Sequence, residues 1–159
     1  MLYWRCRLFF TLGTMFLTWE VVEMMSFQEK SLWVQFVGLI AVFGLYFSVV
    51  LPANTATVMP NQVGLFVGMV ILLVMFMVTG HILIAIVDRR TETDERDRLF
   101  ELKGERNSSY VLATGVFLSL CAAIFIEGNF VFTHLLLGFW VLAQLVEIGS
   151  QLYFYRRGV

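Results

Sequence analysis

Two ionisable side chains lie inside segments that are otherwise almost entirely apolar, and they are the residues best placed for proton chemistry. His81 comes seven residues before Asp88, and Glu147 comes nine residues before Arg156. At the rise of an α-helix, they lie about 10 and 13 Å inside the boundary that these charged flanks mark. Ionisable groups are costly to place in lipid and are therefore candidates for function. Their similar depths allow a direct contact that could relay protons.

Glu147 also belongs to a polar stripe on one helix face. Gln144, Glu147 and Gln151 are separated by three and four residues, which is the spacing of neighbours on a helix surface. The alternative interpretation is a structural role for Glu147. Glu147 would then be protonated or hydrogen-bonded to its neighbours and would only fix helix pairing, with a stabilisation of about 1 kcal/mol per contact. The lack of a further acidic residue that completes a pathway favours this structural role.

The segment from Asp88 to Ser109, DRRTETDERDRLFELKGERNSS, carries more than half of the charges of the chain. Thr91 and the acidic residues after it are typical of a helix N-terminus. Two interpretations remain open. The segment is an amphipathic connector that anchors the next helix, or it is a docking surface for a cytoplasmic protein. The docking interpretation assigns the surface to Asp94, Glu95, Arg96, Asp97, Arg98 and Arg106.

A metal site in the same segment is a weaker hypothesis. Asp94, Asp97 and Glu101 share one helix face and could offer oxygen ligands to a divalent cation. The arginines between them compete for the same carboxylates, and the pattern matches no EF-hand loop. We therefore predict no metal site.

The elements that carry these residues follow from composition and segment length. Apolar residues make up 59% of the chain, and its charges are clustered, which excludes an ordinary soluble domain. About 20 helical residues cross a hydrocarbon core of roughly 30 Å. Four segments qualify: 32–51, 64–87, 110–130 and 131–155. We predict an all-α polytopic membrane protein, with a four-helix transmembrane domain over 25–159 and a charged loop over 88–109.

The distribution of basic residues predicts the orientation. Six of them lie in the 88–109 segment, and Arg156 and Arg157 end the last span. Because short loops rich in Lys and Arg stay in the cytoplasm, the charged loop and the C-terminus are expected there.

Residues 1–24 allow three interpretations. The apolar stretch from Leu8 to Trp19 is about 12 residues long, which is short for a span. We favour an interfacial helix on the cytoplasmic leaflet. A cleaved signal peptide is one alternative, although no small-residue cleavage site follows. Translation from Met25 is the other.

Small residues predict where helices approach closely, within the chain or in a homo-oligomer. They form two stripes: Gly64 with Gly68, and Gly115 with Ser119 and Ala123. No cofactor is predicted, because His81 and His134 are expected too far apart along the bundle axis to share a haem iron. No nucleophile, metal triad or basic face for nucleic acid is visible, so neither an enzyme nor a nucleic-acid-binding protein is expected.

Two stretches, MSFQEKSLWVQFVGLIAVFGLYF and TDERDRLFELKGERNSSYVLATGVFLSL, resemble a group of small, uncharacterised bacterial inner-membrane proteins. These proteins carry an Asp-Glu-Arg-Asp/Glu signature between their second and third helices. The resemblance covers about residues 25–157. Its most specific positions are Asp94, Glu95, Arg96, Asp97, Arg106 and Tyr110. It implies four helices in the bacterial inner membrane and hints at pairing with small helix-turn-helix regulators, without implying an activity.

Two hypotheses about function follow. The first is a non-enzymatic regulator or adaptor that presents the charged loop to a cytoplasmic regulatory protein. The second is an oligomeric proton- or solute-coupled transporter that uses His81 and Glu147. Substitutions in the loop should abolish the first function, whereas Glu147→Gln should abolish only the second.

Overall fold

The computed structural model describes residues 26–53, 55–87 and 95–157, and this part of the chain is almost entirely helical. Its four long helices are α1 (Phe27–Val50), α2 (Pro60–Val87), α3 (Glu95–Phe125) and α4 (Phe130–Arg157). All four are long and apolar enough to cross a membrane. The all-α, four-span architecture is thereby confirmed. The interfacial helix expected within residues 1–24 lies outside the described residues.

Local sequence explains where two helices begin. The Ser26 hydroxyl accepts a hydrogen bond from the backbone N–H of Glu29 at 3.2 Å and so caps α1. Pro60 opens α2, at a position where its missing N–H costs nothing. The Gln62 side chain then accepts a hydrogen bond from the Met59 N–H at 2.9 Å.

The main contacts between neighbouring helices link them in a row, in the order α2, α1, α4 and α3. The contact between α3 and α4 is the most extensive, and α1 packs against both α2 and α4. One end of the bundle, here called the charged end, holds the beginnings of α1 and α3 and the ends of α2 and α4. The other, the turn end, holds the connections 51–59 and 126–129.

Hydrogen bonds from backbone N–H groups hold the two connections of the turn end together. The Phe130 N–H donates to the carbonyl of Ala56 at 3.3 Å, and the Val58 N–H donates to the Asn129 side chain at 2.9 Å. Gly128 adopts a φ of 90° between α3 and α4. Its missing Cβ also leaves room for the Ala56 carbonyl, which approaches closely there. Only glycine meets both requirements without strain.

The core lies mainly between α1 and α4. Phe43, Tyr46 and Val50 of α1 are almost fully buried, and they belong to one cluster with Val141 and Ile148 of α4. In contrast, the apolar side chains of α2 are largely exposed, as expected for a helix that faces lipid.

The third helix begins well before Tyr110, where the predicted span starts, and within the charged segment where Thr91 and the acidic residues after it predicted a helix N-terminus. From Glu95 onward the described chain is helix, and α3 continues unbroken to Phe125. Its 31 residues span about 46 Å, whereas a hydrocarbon core is roughly 30 Å thick. Residues 95–106, here called the α3 extension, therefore exceed the length needed to cross.

Candidate functional site

The α3 extension is fastened to the last turns of α4 by aromatic contacts. Phe100 is 7% exposed. Its ring stacks on Phe154 at 6.1 Å between centroids and meets Tyr155 edge-on at 5.0 Å. The Lys103 ammonium lies 4.9 Å from the Phe154 ring centroid, a further cation–π contact. The extension is thus a fixed part of the bundle.

A close approach of the two helix backbones lies one turn further along. A Cβ at Gly104 would come within 2.8 Å of Gln151 Cγ and 2.9 Å of the Glu147 carbonyl oxygen. Gly104 therefore allows α3 and α4 to pack tightly at this level.

The predicted docking residues separate into two groups. Asp97 points toward the bundle, where its carboxylate accepts a hydrogen bond of 2.6 Å from the Tyr155 hydroxyl. Four of the predicted residues are exposed along the extension: Glu95, Arg96, Arg98 and Arg106. Asp94 lies outside the described residues.

A polar cavity of about 380 Å³ lies beneath the extension, at the charged end. Three helices contribute polar side chains to its wall. They are Gln28, Ser31 and Gln35 of α1, Asp97 and Glu101 of α3, and Gln144, Glu147, Gln151 and Tyr155 of α4. The predicted stripe on α4 therefore faces a space that polar groups share, rather than a purely apolar contact.

The polar groups of this wall are only partly satisfied by one another. Glu147 Oε2 accepts a hydrogen bond from the Ser108 hydroxyl at 3.2 Å. Gln151 is only 9% exposed. Within the described part of the chain, neither its amide nor that of Gln144 forms a hydrogen bond. Their donors and acceptors are available to whatever enters the cavity.

His81 makes a different set of contacts from the one expected. Its Nδ1 lies 2.7 Å from the Met77 carbonyl, which can only accept, so Nδ1 carries the proton. Nε2 is then free to accept from the Ser31 hydroxyl at 2.8 Å and, more weakly, from the Gln35 amide at 3.4 Å.

The direct contact between His81 and Glu147 is not formed. His81 bonds to α1, and Glu147 bonds to Ser108 of α3. The physical reason is the order of the helices, because α1 is the main neighbour of α2 and also packs against α4. A smaller cavity of about 330 Å³ borders His81 and shares Gln35 and Gln144 with the polar cavity. The two residues are thus linked by adjoining spaces.

The predicted packing residues also have different surroundings. Gly115 and Ser119 are buried against α4, and a Cβ at Gly115 would collide with the Phe139 side chain. Ala123 is exposed. Gly64 and Gly68 are exposed as well, with no atom near their missing Cβ positions. Of these predicted packing residues, Gly115 and Ser119 serve packing between the described helices.

At the turn end, a second histidine completes a buried polar pair. His134 Nδ1 donates to the Phe130 carbonyl at 2.8 Å, and its Nε2 accepts from the Tyr46 hydroxyl at 3.1 Å. An apolar cavity of about 580 Å³ borders both residues. Because both ring nitrogens already have partners, His134 is explained by core packing.

A metal centre finds no support in the described residues. No group of three His, Cys, Asp or Glu side chains lies close enough there to hold an ion. Of the trio Asp94, Asp97 and Glu101, Asp94 lies outside the described residues.

The α1 wall of the polar cavity was not predicted from the sequence. Gln28, Ser31 and Gln35 have the same three-and-four spacing as the stripe on α4. That repeated spacing is the signal that could have revealed them.

No protein-family model matches this chain, and neither a curated protein nor a solved structure does. The resemblance to the Asp-Glu-Arg-Asp/Glu proteins therefore stays a prediction.

Proposed function

We propose that this protein is a non-enzymatic adaptor or regulator of the bacterial inner membrane that presents the α3 extension to a cytoplasmic regulatory protein. One observation carries the proposal. Phe100 fastens the α3 extension to α4, while the arginines of the extension stay exposed. A surface that is already rigid loses little entropy on binding.

The outward face of the extension has the composition of a protein contact. Leu99 and Leu102 are 55% and 51% exposed. They lie on the face of α3 away from Phe100 and Gly104, together with Arg106. Apolar contacts supply affinity, while flanking charges supply specificity and steer the encounter. The positive-inside rule supports a cytoplasmic location for this surface.

Site-specific photocross-linking in cells tests the proposal. A photoreactive residue at Leu99 should give a discrete protein adduct. Phe117 is the matched control, because 18 residues are about five helical turns and place it on the same face, 66% exposed within the span. Position 117 should label lipid alone.

Charge reversal provides the second arm of this experiment. Arg98→Glu with Arg106→Glu should remove the adduct, whereas Arg157→Glu, at the end of α4, should leave it. The absence of a protein adduct at 99, or the same adduct at 99 and 117, would refute the docking function.

A proton- or solute-coupled transporter is the second candidate. It is supported by the adjoining cavities, which share Gln35, Gln144 and Ile148 and so run from Glu147 toward His81. Under this candidate, Glu147→Gln abolishes a pH-dependent flux while the arginine reversals have no effect. Under the adaptor, the opposite pattern is expected.

A further inference from the structure

We propose that the polar cavity at the charged end binds a small organic cation with several N–H donors, of which a linear diamine is the simplest example. The proposal does not rest on the docking function. It concerns the space between α1, α3 and α4, whereas docking concerns the outer face of α3.

The charge of the wall selects a cation. The carboxyl groups of Asp97, Glu101 and Glu147 line the cavity, and among the described residues no Lys or Arg side chain does. Asp97 and Glu147 are half-buried, so they attract an entering positive charge more strongly than carboxylates in bulk water do. The three acidic groups together disfavour an anion.

Two cavity-lining amides with unused hydrogen-bonding groups form the second observation. The Gln151 side chain is nine-tenths buried, lines the cavity and has no hydrogen-bond partner in the described structure. The Gln144 amide, also in the wall, has none either. The donors and acceptors of these amides are accessible from the cavity, where they can pair with polar atoms of an occupant. Amide oxygens accept from N–H donors, as the carboxylates do.

The spacing of the acidic groups favours an extended ligand over a single ion. No three of the described acidic, His or Cys side chains converge on one point as metal ligands do. Two carboxyl groups belong to α3 and one to α4, so they approach the cavity from different helices. A volume of about 380 Å³ lies at the lower end of the range for small-molecule sites. A short diamine can place one ammonium near each helix.

Binding to the purified full-length protein in lipid nanodiscs tests this inference. The probe is 1,4-diaminobutane, followed by isothermal titration calorimetry. The matched neutral ligand is 1,4-butanediol, which has the same chain length and no charge. We expect saturable binding of the diamine and none of the diol.

Three variants locate the site. Glu147→Gln and Glu101→Gln should each weaken the diamine roughly tenfold or more, because each removes a charge-assisted hydrogen bond. Glu105→Gln is the control. It removes an exposed acid one turn from Glu101, outside the cavity wall, and it should bind like the parent.

Thermal unfolding distinguishes a lost site from a lost fold. If Glu147→Gln unfolds, the exposed Glu101 still provides the comparison. Equal binding of the diol, no saturable binding of the diamine, or unchanged affinity in Glu101→Gln would overturn the proposal. The photocross-linking at position 99 can succeed or fail whichever result is obtained, so the two proposals are tested separately.

Discussion

At the charged end, single hydrogen bonds determine where acidic side chains point. The Tyr155 hydroxyl turns Asp97 inward at 2.6 Å, although the residues beside Asp97 are exposed arginines. The Ser108 hydroxyl of α3 is shared between the Glu105 carbonyl at 3.0 Å and Glu147 Oε2 at 3.2 Å. These two hydroxyl groups thus help to shape the acidic wall of the polar cavity.

The Tyr155 contact leads to a stability prediction. Tyr155→Phe removes one hydrogen bond to a carboxylate in a half-buried position, and we expect a loss of about 1–2 kcal/mol in the free energy of unfolding. Tyr153→Phe is the control, since the Tyr153 hydroxyl makes no hydrogen bond in the described structure. Unfolding of both variants in mixed micelles gives the comparison. Equal stability of the two would show that the Asp97 contact contributes nothing.

The residue scale also shows what local sequence could and could not predict. The spacing of Gln144, Glu147 and Gln151 predicted one shared face, and these three side chains do line one cavity. Equal depth suggested that His81 meets Glu147, but depth does not specify which helices are neighbours. Ser31 of α1 takes the place of Glu147 beside His81. The pairing of His81 with Ser31 depends on the order of the helices in the row, which no local sequence pattern encodes.

Among the elements, α3 extends furthest beyond the membrane span that hydropathy predicts. Hydropathy placed its beginning at Tyr110, because the preceding residues are too charged to lie in lipid. A helix does not end where the membrane ends, however, and buried Phe100 gives the extension a reason to remain packed on α4. The other three spans were predicted to within about five residues at each end, since length and apolarity determine them.

Removing the Phe100 anchor should release the extension without unfolding the bundle. Phe100→Ala deletes a buried aromatic side chain, a change that typically costs about 3–5 kcal/mol. We expect faster tryptic cleavage after Arg98 and Lys103, as local opening becomes easier. Leu99→Ala, at an exposed position, is the control and should be cleaved like the parent. Unchanged cleavage of Phe100→Ala would contradict a fixed extension.

Two glycines provide a matched test of helix packing. Gly115→Ala places a methyl group against Phe139 at the α3–α4 contact and should destabilise the protein by about 1–3 kcal/mol. Gly68→Ala meets open space on α2 and should be neutral or stabilising by up to about 1 kcal/mol. Unfolding in mixed micelles measures both. A larger loss at Gly68 would indicate that its face is covered by another molecule.

At the scale of the whole molecule, the helix order leaves α2 exposed, and polar groups gather at one end of the bundle. Helix α2 ends the row, so most of its apolar surface stays exposed, including Gly64 and Gly68. The homo-oligomer predicted from these glycines remains a hypothesis. The polar cavity, the α3 extension and the arginines of α4 all gather at the charged end. Both proposed activities therefore depend on which compartment that end faces.

Cysteine labelling in intact cells tests this orientation most directly. Single cysteines at Glu105 of the extension and Glu127 of the turn end are introduced with Cys6 and Cys121 replaced by Ser. Both positions are exposed. With an impermeant thiol reagent, we expect labelling at 127 in intact cells and at 105 only after permeabilisation, because the basic residues keep the charged end in the cytoplasm. Labelling at 105 but not 127 in intact cells would contradict the account.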